Sequence, residues 1–274
     1  MSPFKLSAWR RVIAACLLLC MALADLGVVA QTQQKVVDIP TRPGVTQRFI
    51  YIASPATKGS VILMAGSNGG LQIADDGDMK RGKGNFLVRT RQQFADAGFA
   101  VAVVDTPSDR QSSPFLGGFR QTAEHASDIK AVIAWLKQQS PGPVWLVGTS
   151  RGTQSAGYVA SEMAPAQGGP DGLVLSSTIL FDPAGHAVPK MPLARISIPV
   201  LVLHHEQDGC RLCAFSYMPQ LMSQLAKNPK AELISFRGGQ NEGDPCEPMA
   251  YHGYNGIDKE VVGRATDWML EARP

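Results

Sequence analysis

The sequence predicts an α/β fold built on a mostly parallel sheet with helices on both faces. Short apolar runs rich in β-branched residues alternate with segments whose apolar residues recur every three or four positions. A length of 274 residues with 45% hydrophobic content suffices for one large core, so we expect a single domain. The predicted strands are 36–40, 47–53, 61–65, 99–105, 144–148, 173–177, 200–204 and 231–236.

The order of these elements fixes most of the expected topology. The first two strands are separated only by a short turn with Pro43 and Gly44, which favours an antiparallel hairpin at one sheet edge. Helical periodicity is clearest over 126–136 and 257–269, and strands that alternate with helices form parallel sheets. We expect His125, at the start of the first of these helices, to lie on the helix surface.

Charge excludes one class of partner. The chain has 26 Lys and Arg against 23 Asp and Glu, for a formal net charge of +3. Such a balance gives no stripe of basic residues that could neutralise a phosphate backbone, so we expect no nucleic-acid partner.

The N-terminus has the pattern of a secretory signal peptide. Lys5, Arg10 and Arg11 precede an uncharged apolar run over 12–24, and small residues follow it. A bilayer span needs about 20 apolar residues, so this shorter run predicts no permanent membrane helix. We expect cleavage after Ala30, with cleavage after Ala24 as the alternative. The prediction is a signal peptide over 1–30, a single domain over 31–274, and a periplasmic or secreted protein.

The segment 148–152 reads Gly-Thr-Ser-Arg-Gly and lies between a predicted strand and a predicted helix. A sharp strand-to-helix turn lifts a serine hydroxyl above the sheet, where a histidine can reach it. The turn brings strand and helix so close that side chains at both flanking positions would clash, which calls for Gly148 and Gly152. Ser150 is therefore the candidate nucleophile. The alternative is an ordinary turn with a buried serine.

A nucleophile on such a turn calls for an acid and then a histidine further along the chain. Of the five histidines only His252 follows Asp208, and it lies between the last strand and the last helix. Asp208, after the penultimate strand, is the favoured acid, and Glu206 and Asp182 are the alternatives. Two other histidines, His204 and His205, come at the end of the penultimate strand, and we expect them to be packed at that strand end.

With these residues the chain resembles the α/β-hydrolase superfamily, and more narrowly its small secreted bacterial members. The resemblance extends over nearly all of the segment that follows the signal peptide. Its strongest motifs are the turn at 148–152, Asp-Gly-Cys at 208–210, Pro-Cys at 245–246 and Tyr-His-Gly at 251–253.

The resemblance implies an α/β-hydrolase fold with an eight-stranded sheet and a catalytic triad. Ser150 would be the nucleophile, His252 the general base and acid, and Asp208 the residue that orients the histidine. Such a site needs neither a metal nor an organic cofactor. Only residues 179–196 join the sixth strand to the seventh, which predicts an open cleft without a large lid.

One expected motif is absent. The loop after the third strand lacks the His-Gly that often precedes the oxyanion hole and reads Ala-Gly-Ser-Asn-Gly-Gly over 65–70. We expect the backbone N–H groups of Ser67 and Arg151 to form the oxyanion hole, with Asn68 as the alternative to Ser67.

Three cysteines follow the signal peptide, and the family layout would place two of them together. Cys210 and Cys246 belong to the loops after the last two strands, so a disulfide between them would join the acid loop to the histidine loop. Pairing of Cys213 with Cys246 is the alternative. A redox motif formed by Cys210 and Cys213 and a zinc site formed by all three cysteines are weaker interpretations.

The predicted function is hydrolysis of an acyl bond, favouring a carboxylic ester, in a small-molecule substrate. The same triad also serves thioesterases, amidases and acyltransferases, so these remain alternatives. A binding protein that retains the fold without turnover is a second class. A dinucleotide-binding protein is disfavoured, since the glycine loop lacks the G-x-G-x-x-G pattern. The sequence leaves the oligomeric state open.

Overall fold

A computed structural model describes residues 34–228 and 230–272. The predicted signal peptide lies outside these residues. Each predicted strand is present within two residues of its expected ends. The strands are β1 (Gln34–Arg42), β2 (Val45–Ile52), β3 (Gly59–Met64), β4 (Phe99–Pro107), β5 (Val144–Thr149), β6 (Gly172–Ser176), β7 (Val200–His205) and β8 (Ala231–Phe236).

The eight strands form one sheet in the order β1-β2-β4-β3-β5-β6-β7-β8. The pairs β1–β2 and β2–β4 are antiparallel, and every other neighbouring pair is parallel. The hairpin turns at Pro43 and Gly44, where Gly44 adopts a φ of +71° that a residue with a Cβ disfavours. The predicted mostly parallel eight-stranded sheet with an antiparallel edge is therefore confirmed.

Helices cover both faces of the sheet, and each face has its own apolar core. The strands β3 to β7 are buried along their whole length, as expected for a parallel sheet covered on both sides. The helices are α1 (Phe86–Arg89), α2 (Arg91–Asp96), α3 (Ala123–Gln139), α4 (Gly152–Glu162), α5 (Met218–Leu225) and α6 (Asp258–Glu271). Residues of α3, α4 and α5 pack on one face, and those of α1, α2 and α6 on the other.

The connection from β6 to β7 contains only two short 3₁₀ turns, Val188–Lys190 and Leu193–Arg195. The expected absence of a large lid is thus confirmed for this connection. None of the helices in the described part of the chain is both long and apolar enough to cross a bilayer.

His125 is buried, with 3% of its surface exposed, so its predicted position on the helix surface is wrong. It lies on the same face of α3 as Ile129, Val132 and Leu136, since these residues follow it at helical spacing. Its ring packs at a centroid distance of 5.7 Å from the Phe119 ring. Neither ring nitrogen has a hydrogen-bond partner among the described residues.

We expect His125 to make the protein less stable in acid. Burial, aided by the positive charges of Arg120 and Arg42, lowers the pKa of His125 to about 3. An unfolded histidine has a pKa near 6.5, so below that pH the unfolded chain binds a proton that the folded chain does not. The contribution of neutral, buried His125 to the free energy of unfolding is therefore complete above pH 6.5, and it is lost as the pH falls towards 3. Measured by urea unfolding, the free energy of unfolding should be lower at pH 4.5 than at pH 7 by up to ~3 kcal/mol on account of this residue.

A His125→Leu variant removes the titrating group and should lose less stability between these two pH values than the wild type. His186 is exposed, so a His186→Gln variant is the matched control and should retain the pH dependence of the wild type. An identical pH dependence in His125→Leu and the wild type would contradict the assignment.

Candidate active site

Ser150 occupies a sharp turn between β5 and α4. Its φ is +52°, in the left-handed region that residues with a Cβ rarely adopt. A Cβ added at Gly152 would lie 2.1 Å from the Met64 carbonyl oxygen, and one at Gly148 would lie 2.5 Å from the Gly152 carbonyl oxygen. The close approach of strand and helix therefore requires glycine at both positions, as the sequence predicts. The Ser150 N–H donates to the Ser176 carbonyl at 3.0 Å, which anchors the strained turn to β6.

Asp208 and His252 form a buried pair above the ends of β7 and β8. His252 Nδ1 lies 2.8 Å from Asp208 Oδ2, and the two residues are 4% and 6% exposed. The other Asp208 oxygen accepts a hydrogen bond from the Cys210 N–H at 2.9 Å. With Nδ1 donating to the carboxylate, the Nε2 of His252 carries the free lone pair.

The Nε2 atom of His252 is buried and has no hydrogen-bond partner among the described residues. His252 and Ser150 line the same cavity of about 210 Å³, together with Ser67 and Arg151. A buried imidazole nitrogen without a partner is costly unless a donor approaches it. The cavity thus holds a serine, an oriented histidine and candidate oxyanion donors in one enclosure.

The two alternative acids have other partners. Glu206 accepts hydrogen bonds from Arg237 at 2.6 Å and from Ser235 at 2.9 Å. Asp182 accepts one from Gln154 at 2.9 Å. Neither forms a hydrogen bond or ion pair with His252 in the described part of the chain, whereas Asp208 does.

His204 is a second buried histidine near the acid. Its Nε2 lies 2.6 Å from the Cys213 carbonyl oxygen and 3.6 Å from Asp208 Oδ2. Burial lowers the pKa of His204 to about 4, so the ring is neutral at pH 7. Because His204 is neutral and donates to the Cys213 carbonyl, it does not form an ion pair with Asp208, and the hydrogen bond from a histidine to the Asp208 carboxylate comes from His252.

Three residues that sequence reasoning did not assign to the site hold the histidine loop. The Ser177 hydroxyl donates to the His252 carbonyl at 2.7 Å, and Arg89 donates to the Gly253 carbonyl at 2.6 Å. The buried Tyr254 hydroxyl donates to the Leu203 carbonyl at 2.8 Å, which ties the loop to β7. Their partners are backbone atoms distant in sequence, so no local pattern points to them.

The loop after β3 passes directly against the nucleophile turn. A Cβ added at Gly66 would lie 2.9 Å from the Ser150 Cβ, and Ser67 adopts a φ of +51°. Neither the Ser67 N–H nor the Arg151 N–H donates to an acceptor within the described residues. The side-chain oxygen of Asn68 accepts from the Gly70 N–H at 3.1 Å. Within the described residues the N–H of Asn68 has no acceptor either, so Ser67 with Arg151 stays the predicted pair of donors and Asn68 the alternative to Ser67.

Arg120 is a further buried group beside this loop. It is 5% exposed and donates to the carbonyls of Ala65 at 3.1 Å and Ser67 at 3.2 Å. It also donates to the Ser155 hydroxyl on α4 at 2.9 Å. The guanidinium therefore connects the loop after β3 to the helix that follows the nucleophile.

Cys210 and Cys246 form a disulfide in the structure, and Cys213 is a buried free thiol. The bridge joins the loop that carries Asp208 to the loop that carries His252. Disulfides are typical of proteins from oxidising compartments, which agrees with the predicted export. Ligand atoms of Cys210, Cys213 and His252 lie within 4.8 Å of one another. Cys210 is oxidised, however, so this group lacks the three free donors that a zinc site requires.

Comparison with known proteins supports the same architecture. The sequence profile of the X-Pro dipeptidyl-peptidase family (S15 family) matches residues 49–168. No curated protein sequence matches the chain. Among solved structures, an esterase from Pyrococcus furiosus has a TM-score of 0.64 and 16% identity over 89% of this chain and 92% of the other.

Two further structures have the same fold. A dienelactone hydrolase from Anabaena variabilis has a TM-score of 0.61 and 14% identity over 89% of this chain and 100% of the other. An acetyl ester-xyloside bifunctional hydrolase from Caldicellulosiruptor lactoaceticus has a TM-score of 0.58 and 14% identity over 89% of this chain and 98% of the other. The chain therefore has the α/β-hydrolase fold, and the resemblance to that superfamily predicted from its sequence is confirmed.

Proposed function

We propose that the protein is a serine hydrolase that cleaves a carboxylic ester through an acyl-enzyme. The observation that carries the proposal is the buried Asp208–His252 pair, whose unpartnered Nε2 shares a cavity with Ser150 on its strained turn. Nucleophilic catalysis requires all three groups, a serine hydroxyl, an imidazole nitrogen free to take its proton, and a carboxylate that orients the imidazole.

In the proposed reaction, His252 Nε2 takes the hydroxyl proton of Ser150 as the oxygen attacks the ester carbonyl. The Asp208 carboxylate holds the Nδ1 proton in place and stabilises the imidazolium that forms. The N–H groups of Ser67 and Arg151 then donate to the negatively charged oxygen of the tetrahedral intermediate. Each such donor typically contributes about 3 kcal/mol to transition-state stabilisation.

Collapse of the intermediate breaks the bond to the alcohol, which receives the proton from His252 and leaves. The acyl group is then bonded to Ser150. A water molecule gives a proton to His252 and attacks the acyl carbonyl, and the same two N–H groups stabilise the second intermediate. Proton return to Ser150 releases the carboxylic acid and restores the site.

The names of the structural neighbours, which include an esterase and an acetyl ester hydrolase, favour an ester substrate. Cleavage of an amide next to proline is the second candidate, favoured by the match to the X-Pro dipeptidyl-peptidase family. That match ends at residue 168, before Asp208 and His252, so it supports the nucleophile segment alone. Parallel assays with an aryl acetate and an X-Pro anilide distinguish the two candidates.

The direct test of the proposal is labelling with a fluorophosphonate followed by intact-mass measurement. We expect one adduct on the wild type and none on Ser150→Ala, because only an oriented imidazole makes a serine hydroxyl nucleophilic enough to react. Ser127 is an exposed serine on α3, so a Ser127→Ala variant is the matched control and should label as the wild type does. A folded wild type without an adduct would exclude the mechanism and favour a binding protein.

A further inference from the structure

A second, larger cavity of about 580 Å³ lies beside the candidate active site. Ser67 and Arg151 line both this cavity and the smaller one that contains Ser150 and His252. A substrate whose carbonyl reaches Ser150 can therefore extend past the oxyanion donors into the larger space. This larger cavity is called the side cavity below.

The wall of the side cavity contains Arg120, whose guanidinium is buried: only 5% of the residue's surface is exposed to solvent. Its hydrogen bonds go to neutral acceptors, three carbonyls of the loop after β3 and the Ser155 hydroxyl. Within residues 34–228 and 230–272 no carboxylate forms an ion pair with it. Buried charges are normally paired, since desolvation of an isolated charge is costly.

A second guanidinium faces the same space. Arg151 lines the side cavity with a half-exposed side chain, and its closest carboxylate, Asp182 Oδ2, is 3.5 Å away. The same Asp182 oxygen also accepts from Gln154 at 2.9 Å. The lining therefore has two guanidinium groups against one carboxylate, which leaves positive charge in excess.

The two guanidinium groups also destabilise each other. Burial, followed by the positive charge of Arg151, lowers the pKa of Arg120 to about 9. A negative group placed in the side cavity would offset both effects, because it would supply the missing counter-charge and reduce the mutual repulsion.

We propose that the side cavity binds a carboxylate of the substrate, so that the preferred substrates are esters that also carry a free carboxylate. Arg120 and Arg151 supply the counter-charges, and the apolar part of the lining, which includes Leu116 and Pro114, contacts the chain between the carboxylate and the ester. This inference rests on the proposed hydrolase function and adds a substrate class to it.

The test compares two aryl esters of equal acyl length, the 4-nitrophenyl monoester of adipic acid and 4-nitrophenyl hexanoate. A third ester, 4-carboxyphenyl hexanoate, places the carboxylate on the alcohol side instead. The neutral counterpart of the adipate monoester is 4-nitrophenyl hexanoate, and that of 4-carboxyphenyl hexanoate is 4-carbamoylphenyl hexanoate, whose phenol has a similar acidity. We expect wild type to cleave one of the two charged esters with a kcat/KM at least 10-fold above that of its neutral counterpart. Equal values for charged and neutral esters would overturn the proposal.

The variants test whether the arginines cause the preference. Arg120→Met should lower the charged-to-neutral ratio of kcat/KM by 10- to 100-fold, mainly through KM, and Arg120→Lys should restore part of it. If Arg120 only positions the loop after β3, both esters slow equally and the ratio stays constant. Arg151→Met keeps the backbone N–H and should lower the ratio even if Arg120→Met does not fold. Arg195 is an exposed arginine outside the cavity, so Arg195→Met should leave the ratio unchanged.

Binding measurements distinguish an error in the proposed carboxylate site from an error in the proposed hydrolase function. Calorimetric titration with adipamate, the half-amide of adipic acid, and with neutral hexanamide measures binding without turnover. Binding of adipamate that depends on Arg120, without cleavage of any ester, would support the subsite and refute the hydrolase. Cleavage of the hexanoate ester without a preference for adipamate would support the hydrolase and refute the subsite.

Discussion

Replacing Asp208 with asparagine is expected to lower kcat for ester hydrolysis by about 10³- to 10⁴-fold. The asparagine amide group can donate a hydrogen bond to His252 Nδ1, which would move the ring proton to Nε2 and remove the base that faces Ser150. The fold should be retained, because the side-chain oxygen of asparagine can still accept from the Cys210 N–H. Steady-state kinetics on a 4-nitrophenyl ester, with urea unfolding as a check on stability, measures the effect.

Glu206 offers the matched control, because it lies two residues earlier on the same loop and is one of the two alternative acids that the sequence offers, with Asp182. Its carboxylate pairs with the exposed Arg237, so Glu206→Gln should change kcat less than two-fold. A large loss in Glu206→Gln together with normal activity in Asp208→Asn would show that the acid is misassigned. Loss of fluorophosphonate labelling in Asp208→Asn would independently link the carboxylate to the reactivity of Ser150.

The parts of the molecule that sequence could predict are those controlled by local chemistry. The strands follow from short apolar runs, and the nucleophile turn follows from two glycines at fixed distances from Ser150. The close contacts a Cβ would make at Gly148 and Gly152 explain why the motif is informative. His252 could be proposed because no other histidine follows Asp208.

The side cavity could not be predicted, because its wall comes from segments distant in the chain. Arg120 contacts carbonyls more than 50 residues earlier, and Arg151, whose positive charge helps lower the pKa of Arg120, belongs to the nucleophile turn. No spacing rule connects such residues. His125 is different, since its spacing from Ile129 and Leu136 places it on the buried face of α3, so the periodicity contained the signal. Its polarity led to the wrong expectation.

Loss of the Cys210–Cys246 disulfide is expected to lower the free energy of unfolding by up to about 4 kcal/mol. The two cysteines are 36 residues apart in sequence, and the bridge restricts the unfolded chain over that distance. The variant of choice is Cys246→Ser, because Cys246 is exposed and its replacement leaves no buried cavity, whereas Cys210 is 2% exposed. Urea unfolding under non-reducing conditions should show a lower midpoint for the variant.

Reductant provides the internal control for this prediction. Dithiothreitol should lower the urea midpoint of the wild type to that of Cys246→Ser. A Cys213→Ala change made in both proteins removes the thiol beside the freed Cys210, so the variant then has no bridge to lose and dithiothreitol should leave it unchanged. The bridge also joins the Asp208 loop to the His252 loop, so esterase activity should be lost at a lower urea concentration than global unfolding once the bridge is absent. Equal midpoints for oxidised wild type and Cys246→Ser would mean that non-covalent contacts hold the two loops together without the bridge. Asp208 and His252 would then owe their alignment to contacts such as the Ser177 and Arg89 hydrogen bonds to the histidine loop.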